Sequence, residues 1–582
     1  MKLFSRHKMQ ISSASHSGLE QARARLFLVM MFFVVAYVIV VARAAEVSLI
    51  QGASYSQNEL GEENDYAYSM EEEEQNLRSD IVDRNNVVLA RSIKTSSLFA
   101  DAKYVLEPVK TAKELKKIFP DISYGATLKK LQSKKRFVWI KRNITPAQQE
   151  QILFLGHPAL NFKEEMNRIY PQGALAVHLV GASGIDGQGL AGMEGSFNKL
   201  LYDGKAPLEL SLDVRLQHVV KREIESSIKK FNAKAGAGII MNVNTGEILA
   251  AVSLPDYKPY DFGETKDNNK FNRFSLGVYE LGSAFKMFST AAVIEKNGGN
   301  IAQRFDVREP LKVGRHKIRD YHPEKRILSL PEVFIHSSNI GSAMMGQAVG
   351  TEGLKNFYKD LGLLESSEFE LSEIGKPLVP NPWREVDTLT ASFGHGIAVT
   401  PLQLVSAASA MVNGGIAVKP TILKTPTAYK NSKENVRVIS PETSHRMRQL
   451  LRLVVTEGTG GKADVDGYLV GGKTGTAEKA GVGGYNRKKL ISSFLGVFPM
   501  NNPEYAVFVM VDEPVGTKET WGYATGGWVG APAVKNIIAS TVSILGIPPV
   551  ETKERFEGSL IRHVKTKEQI KAIKEAQRIA SH

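Results

Sequence analysis

Three short runs in this 582-residue chain combine hydroxyl, amine and amide side chains at spacings that could support acyl transfer. Ser283-Ala284-Phe285-Lys286 leads into the apolar stretch from Met287 to Lys296, which ends at the helix-stop signal Asn297-Gly298-Gly299. Residues three apart share a helix face. The spacing therefore predicts the Lys286 amine beside the Ser283 hydroxyl at a helix start, where the positive end of the dipole favours an alkoxide. Ser-x-x-Lys also occurs at Ser5/Lys8, Ser226/Lys229 and Ser227/Lys230, so this spacing alone is not specific. Ser337-Ser338-Asn339 follows the helix-like PEVFIH, and Lys473-Thr474-Gly475-Thr476 is the one KTG in the sequence. The chain has no cysteine, which excludes a thiolate nucleophile, thiolate zinc, iron–sulfur clusters and disulfides, and leaves the chemistry to Ser, Lys, His and carboxylates.

Those runs need elements to hold them. KTGT follows the apolar-glycine run Tyr468 to Gly472 and precedes a charged turn and a second apolar run, Leu490 to Val497. This pattern predicts an edge-accessible strand whose glycine lets a substrate backbone come close. Upstream, apolar positions Leu212, Leu216, Val219, Val220 and Ile224 repeat with helical period, and Ala237 to Met241 and Glu247 to Val252 read as strands joined by the turn Asn242 to Gly246. A helix laid on a sheet is expected. Ile81-Val82 and Val87 to Leu89 flank a turn, and short apolar runs with glycine punctuation continue to about Leu208, a mixed, loop-rich module without its own nucleophile.

Composition is that of an ordinary globular protein, 43% hydrophobic and 23% charged, with a formal charge of +13. Part of that surplus sits in residues 1–25, where Lys2, Arg6, Lys8, Arg23 and Arg25 face the single acid Glu20. The uncharged run Leu26 to Ala42 follows, long enough to span a bilayer as a short helix, and the positive-inside rule places the basic end in the cytoplasm and the rest across the membrane. A cleaved signal peptide is the alternative, since Ala42-Arg43-Ala44 resembles a cleavage site. The charge pattern points to a membrane and not to nucleic acid. The expected layout is a cytoplasmic segment 1–25, an anchor 26–42, a polar acidic stalk 43–77, a pedestal module 78–208, a catalytic domain 209–548 and a charged, partly helical tail 549–582.

Ser-x-x-Lys, Ser-x-Asn and Lys-Thr-Gly, in that order within one domain, form the signature shared by penicillin-binding proteins and serine β-lactamases. With these residues in view, the sequence resembles a class B penicillin-binding protein over nearly its whole length. Arg78 to Ala90 and Gly189 to Gly204 are similar to the opening and closing segments of that family's pedestal, with Ser79 and Asn86 where Gly is usual. Asn272 to Lys286 is similar to its nucleophile region, with Leu281 where Pro is common and Ala284 where Thr is common, departures that read as packing variants. Phe393 to Leu404, Lys473 to Lys479 and Ser493 to Pro499 resemble the division-specific branch, whereas the elongation-specific branch more often carries Ser in place of Thr474.

The resemblance implies an α/β (α+β) transpeptidase domain of the penicillin-binding and serine β-lactamase type, preceded by the pedestal and one transmembrane helix. It implies a two-stage acyl transfer on peptidoglycan stem peptides, without metal or other cofactor. Ser283 is the implied nucleophile, Lys286 the base, Ser337 a proton relay and Asn339 a ligand of the substrate amide. The backbone N–H groups of Ser283 and Thr476 are the implied oxyanion hole, and Lys473, Thr474 and Thr476 receive the substrate carboxylate beside Gly475. His395, between two glycines, reads as a structural hydrogen-bonder. Implied partners are lipid-linked precursor and nascent glycan strands, β-lactams, a glycan polymerase of the FtsW type and other division proteins, at an inner-membrane septal site. An elongation-specific transpeptidase and a membrane-bound β-lactam sensor or β-lactamase remain alternatives.

Overall fold

The structure, a computed structural model, describes residues 27–28, 30–40, 78–204, 206–314, 316–425, 436–481, 484–550, 555–565, 569 and 572. The basic segment 1–25 and the stalk 43–77 lie outside the described residues. The chain divides into two compact units, Met1–Gln75 and Asn76–His582. In the first, the described residues of the 26–42 run are helical and carry exposed apolar side chains, with Met30–Val40 a short apolar helix. Among the described residues, the helix that is long and apolar enough to cross a membrane by length and composition is Gly526–Leu545, in the second unit, where half of it is buried inside the fold.

The second unit opens with a sheet of β1 (Ile81–Val82), β2 (Val88–Ala100), β3 (Val138–Ile144), β4 (Leu160–Ile169) and β5 (Leu208–Glu209). The order is β3-β2-β1-β5, with β4 also paired to β2; β1 and β5 run parallel and the other pairs antiparallel. The turn between β1 and β2 is fixed by Asp83, whose carboxylate accepts N–H groups of Asn85 and Val87 (both 2.8 Å) and of Val214 (3.1 Å). Asn86 adopts φ +62°, which asparagine tolerates better than most side chains and which accounts for its standing where glycine is usual. The far end of the sheet carries its own small core of Leu98, Leu115, Phe119, Leu131 and Ile152. At the near end, buried Glu194 accepts from Arg78 Nε (2.6 Å) and Arg168 Nε (2.7 Å). Removing Glu194 would leave two guanidinium groups buried without their counter-charge, a change in the range of about 3–5 kcal/mol.

Strands β6 (Ala235–Asn242), β7 (Ile248–Leu254), β8 (Gly471–Gly481), β9 (Gly484–Phe498) and β10 (Tyr505–Asp512) form one antiparallel sheet in the order β8-β9-β10-β6-β7, so the KTG strand is an edge. Helices α1 (Val214–Lys230), α2 (Lys286–Lys296), α3 (Asn339–Val349) and α4 (Gly526–Leu545) are the ones that matter for the site. On one face of the sheet α1 and α4 bury Leu216, Val220, Ile224, Val534 and Ile538 against β-branched and aromatic residues of the strands. Close approach of α1 depends on Gly236 and Gly238, where a Cβ would come within 2.6 Å of Ile224 methyls. The opposite face packs on α2 and its neighbours in a larger core that also takes in Ile81, Leu89 and Tyr170, so pedestal and catalytic parts share one apolar interior.

Of the expected charged, partly helical tail, residues 569 and 572 are helical, residues 555–565 are not α-helical, and most of the remainder lies outside the described residues. Residues Gly558–His563 form a 3₁₀ turn, and Leu560 and Val564 are buried in the same core as the helix Leu330–Ile335. Ser329 Oγ donates to the His563 carbonyl (2.6 Å), Thr456 Oγ1 donates to Glu557 (2.9 Å), and Arg555 pairs with Glu457 (2.9 Å). Apolar burial of two side chains outweighs the helical tendency of so short a stretch.

Candidate active site

Ser283 lies in a 3₁₀ turn, Gly282–Phe285, that runs directly into α2, so the helix begins at Lys286, one residue earlier than the apolar run suggests. The turn is wedged. Gly282 has φ +53°, and a Cβ there would sit 2.5 Å from the Thr476 carbonyl; a Cβ on Gly394 would sit 2.2 Å from the Gly282 carbonyl. Leu281 and Ala284, the two departures from the family pattern in the nucleophile region, are buried and fill space in this packing. Lys286 is fully buried, and its Nζ lies 3.1 Å from Ser283 Oγ and 3.0 Å from Ser337 Oγ. Lys473, also fully buried, places its Nζ 3.0 Å from the same Ser337 hydroxyl. One serine hydroxyl therefore joins two lysine amines, one of which reaches the nucleophile candidate.

Two buried amines cannot both keep their protons cheaply. Burial first, and the Lys473 ammonium second, hold the Lys286 amine well below the ordinary lysine range, against a weaker upward pull from Asp320. Burial pushes Lys473 down to about 7. The Lys473 ammonium also lies 5.8 Å from the centre of the Phe334 ring, an additional partner for its charged form.

Ser337 has φ +59°, a left-handed conformation that costs a non-glycine residue about 1–3 kcal/mol and persists only where the surroundings impose it. They do so from both sides. The Ser337 and Ser338 N–H groups donate to Phe334 (3.2 Å) and Val333 (3.0 Å) in the preceding helix. On the other side, Asp320 accepts from Ser338 Oγ (2.8 Å) and the Ile340 N–H (3.0 Å), while Ser338 Oγ accepts the Gly341 N–H and caps α3. Asn339 begins α3 and its Nδ2 donates to the Arg319 carbonyl (3.0 Å), which directs any substrate N–H to its Oδ1.

Strand alternation sorts the KTGT residues. Lys473 turns to Ser337, and Gly475 lies against the nucleophile turn, where a Cβ would come within 2.7 Å of the Leu281 carbonyl. On the other face, Thr474 Oγ1 and Thr459 Oγ1 are 3.0 Å apart, and Thr476 Oγ1 accepts the Gly526 N–H (3.0 Å) at the start of α4. Ser283, Lys286, Ser337 and Lys473 are thus brought into one cluster, with Asn339, Thr474, Gly475 and Thr476 on its rim. His395 is placed apart from the lysines: its Nδ1 is 3.5 Å from Glu280, and its ring lies 4.4 Å from that of Tyr485. Sequence reasoning missed Asp320, Thr459 and Gly526. The glycine pair before an apolar helix was a usable signal for Gly526; Asp320 and Thr459 carry none.

Known proteins resemble both modules of this chain. Residues 236–539 match the penicillin-binding protein transpeptidase domain, and residues 73–224 the penicillin-binding protein dimerisation domain. The chain is 37% identical to a protein of Caulobacter vibrioides named "Probable peptidoglycan D,D-transpeptidase FtsI", over 93% of this chain and 92% of that protein. It is 32% identical to "Probable peptidoglycan D,D-transpeptidase PenA" of Neisseria gonorrhoeae over 91% and 94%, and 28% identical to "Peptidoglycan D,D-transpeptidase FtsI" of Escherichia coli K12 over 81% and 84%. A crystal structure of a peptidoglycan synthetase from Bifidobacterium adolescentis superposes with a TM-score of 0.64 at 22% identity, covering 83% of this chain and 97% of that one, which shows a common fold. With a dimerisation module followed by a transpeptidase module, and a relative 37% identical along almost its full length, this chain belongs to the class B penicillin-binding proteins.

Proposed function

We propose that this chain is a serine peptidoglycan D,D-transpeptidase that cross-links stem peptides of the septal wall. The observation that carries the chemistry is the Ser283–Lys286–Ser337–Lys473 hydrogen-bond chain, with both amines buried and depressed. Ser283 Oγ attacks the carbonyl between two terminal D-alanines while the neutral Lys286 amine takes its proton, a general-base contribution of about 10²–10⁴ in rate. Backbone N–H groups of Ser283 and Thr476 receive the oxyanion, each donor contributing on the order of 10²–10³. Ser337, between the two amines, passes a proton to the departing D-alanine. An amine of a second stem then takes up the acyl group and frees Ser283. Lys473, Thr474 and Thr476 hold the substrate carboxylate, and the Asn339 amide holds the acyl side.

The septal assignment rests on the likeness to proteins named FtsI. The proposed architecture is a single-pass anchor at 26–42 with the amino terminus in the cytoplasm, a pedestal at 78–208 and the catalytic domain at 209–548, working beside a glycan polymerase of the FtsW type. A fluorescent penicillin tests the chemistry, because a β-lactam acylates the serine that attacks the dipeptide. Mass spectrometry should find the adduct on Ser283, and Ser283→Ala should abolish it. An adduct on another serine refutes the site, and release within seconds points to a β-lactamase.

A further inference from the structure

The charge surplus of this chain is concentrated in one lobe. Residues 103–142 carry twelve lysines and arginines against the three acids Glu107, Glu114 and Asp121, a surplus of nine where the whole chain has 13. They form the far end of the pedestal, where the helices Pro108–Ile118 and Tyr124–Leu131 cover one face of β2 and β3 through Leu98, Leu115, Leu131 and Ile140. Strand alternation turns Phe99 and Trp139 to the other face, where both meet Phe137. Phe99 and Phe137 stack at 4.6 Å between centroids, and Phe137 and Trp139 meet edge to face at 4.9 Å. Arg136 pairs with Asp101 at 3.4 Å. These contacts set the loop Lys134–Phe137 beside the loop Asp101–Leu106, at the tip of the lobe.

The two loops combine exposed apolar side chains with exposed cations. Leu106 is 91% exposed, Tyr104 54% and Phe137 46%, and Lys103, Lys134 and Lys135 beside them are exposed as well. The nearby acids are already matched, Asp101 by Arg136 and Glu107 by Lys110 at 3.2 Å. Single exposed apolar residues are ordinary, but three on adjoining loops among unmatched lysines form a patch. A soluble polyanion would engage the cations and leave the apolar side chains in water. An anionic bilayer surface takes both: Leu, Tyr and Phe settle at the boundary of headgroups and acyl chains, and the lysines stay at the phosphates. We propose that the pedestal tip, Lys103–Leu106 together with Lys134–Phe137, is a peripheral docking surface for a bilayer containing anionic phospholipid. It goes beyond the transpeptidase reading and is separate from the anchor proposed at 26–42: it gives the chain a second attachment, one that orients the pedestal against the membrane.

The test uses the full-length protein, whose lack of cysteine lets a single Leu106→Cys carry an environment-sensitive nitrobenzoxadiazole label in place of that apolar side chain. In nanodiscs of mixed phosphatidylcholine and phosphatidylglycerol the label should emit further to the blue than in phosphatidylcholine alone. The same label at Val515→Cys, an exposed position of the catalytic domain, should not distinguish the two lipids. Adding Lys134→Gln and Lys135→Gln should lower the ratio of docked to free tip about 25-fold, about fivefold for each cation, and raised salt should weaken docking in the same direction. Unchanged penicillin acylation of Ser283 in that variant shows that the fold is intact. Equal emission in the two lipids, or a blue shift that survives loss of both lysines, overturns the proposal. So does an equal shift when polyglutamate is added to phosphatidylcholine discs, which would make the tip a site for an acidic protein segment. A protein that does not enter nanodiscs refutes the anchor at 26–42 instead, and the same label then reads docking on added phosphatidylglycerol vesicles.

Discussion

Adding one methyl group at Gly475 should separate the position of the nucleophile from the stability of the domain. A Cβ at Gly475 would lie 2.3 Å from Ser493 Oγ, 2.7 Å from the Leu281 carbonyl oxygen and 3.6 Å from Ala284 Cβ. Measured against a 3.0 Å floor for such contacts, the first two fall short by roughly 0.7 and 0.3 Å, well inside the repulsive wall. The two obstacles differ in kind. Ser493 Oγ is buried without a hydrogen-bond partner, so deleting it costs little. Leu281 O is main chain, two residues before Ser283, and can yield only by moving the nucleophile turn. Overpacking of this sort costs about 1–3 kcal/mol. Since about 1 Å of misplacement can cost on the order of 10² in rate, a shift of a few tenths should slow acylation roughly tenfold. Stopped-flow acylation by a chromogenic β-lactam gives the rate, and thermal unfolding gives the stability. Gly475→Ala should lose both; adding Ser493→Ala should recover most of the melting temperature and only part of the rate. Wild-type acylation in Gly475→Ala, or full recovery of rate in the double variant, would refute the reasoning.

The pH dependence follows from the two amines. Lys286 must be neutral to act as base and its pKa is lowered, so acylation should fall only on the acid side; Lys473 must be charged to bind a carboxylate and titrates at about 7, so affinity should weaken as pH rises through that value. The second-order acylation constant should therefore be bell-shaped, and Lys473→Arg, which stays charged, should remove the alkaline limb; a flat profile between about pH 6 and 9 contradicts this. In the native cell, depletion should block constriction while elongation continues, giving filaments, and Ser283→Ala should reach the septum without restoring constriction. Rounded cells on depletion would assign the protein to elongation, and rescue by Ser283→Ala would make its essential role structural.

Much of the site was legible because its chemistry rides on short-range spacing. Ser283 and Lys286 are one helical turn apart, and the glycine in KTGT marks close approach on an edge strand; both are local rules. What links them is not local. Ser337 bridges Lys286 and Lys473, 51 and 136 residues away, and only the fold shows that its own backbone is held left-handed by Asp320 and the Leu330–Ile335 helix. The arms of the β8–β9 hairpin were under-read for a related reason. Arg487, Lys488 and Lys489 look like a charged turn, yet they form an exposed bulge within β9: pairing passes from Glu478–Leu490 to Lys479–Asn486 and the hairpin runs on to Gly481–Gly484.

The docking of residues 555–565 on the segment that carries Ser337 also has a bearing on when the enzyme comes into being. A chain is made from its amino terminus, and the helix ahead of Ser337 is complete some 230 residues before Leu560, Val564 and His563 exist to brace it. The nucleophile, both lysines and the KTG strand can therefore all be assembled while the last support of the bridging serine is still missing. Truncation ahead of Arg555 should accordingly leave Ser283, Lys286 and Lys473 in place while loosening the helix that sets the Ser337 backbone.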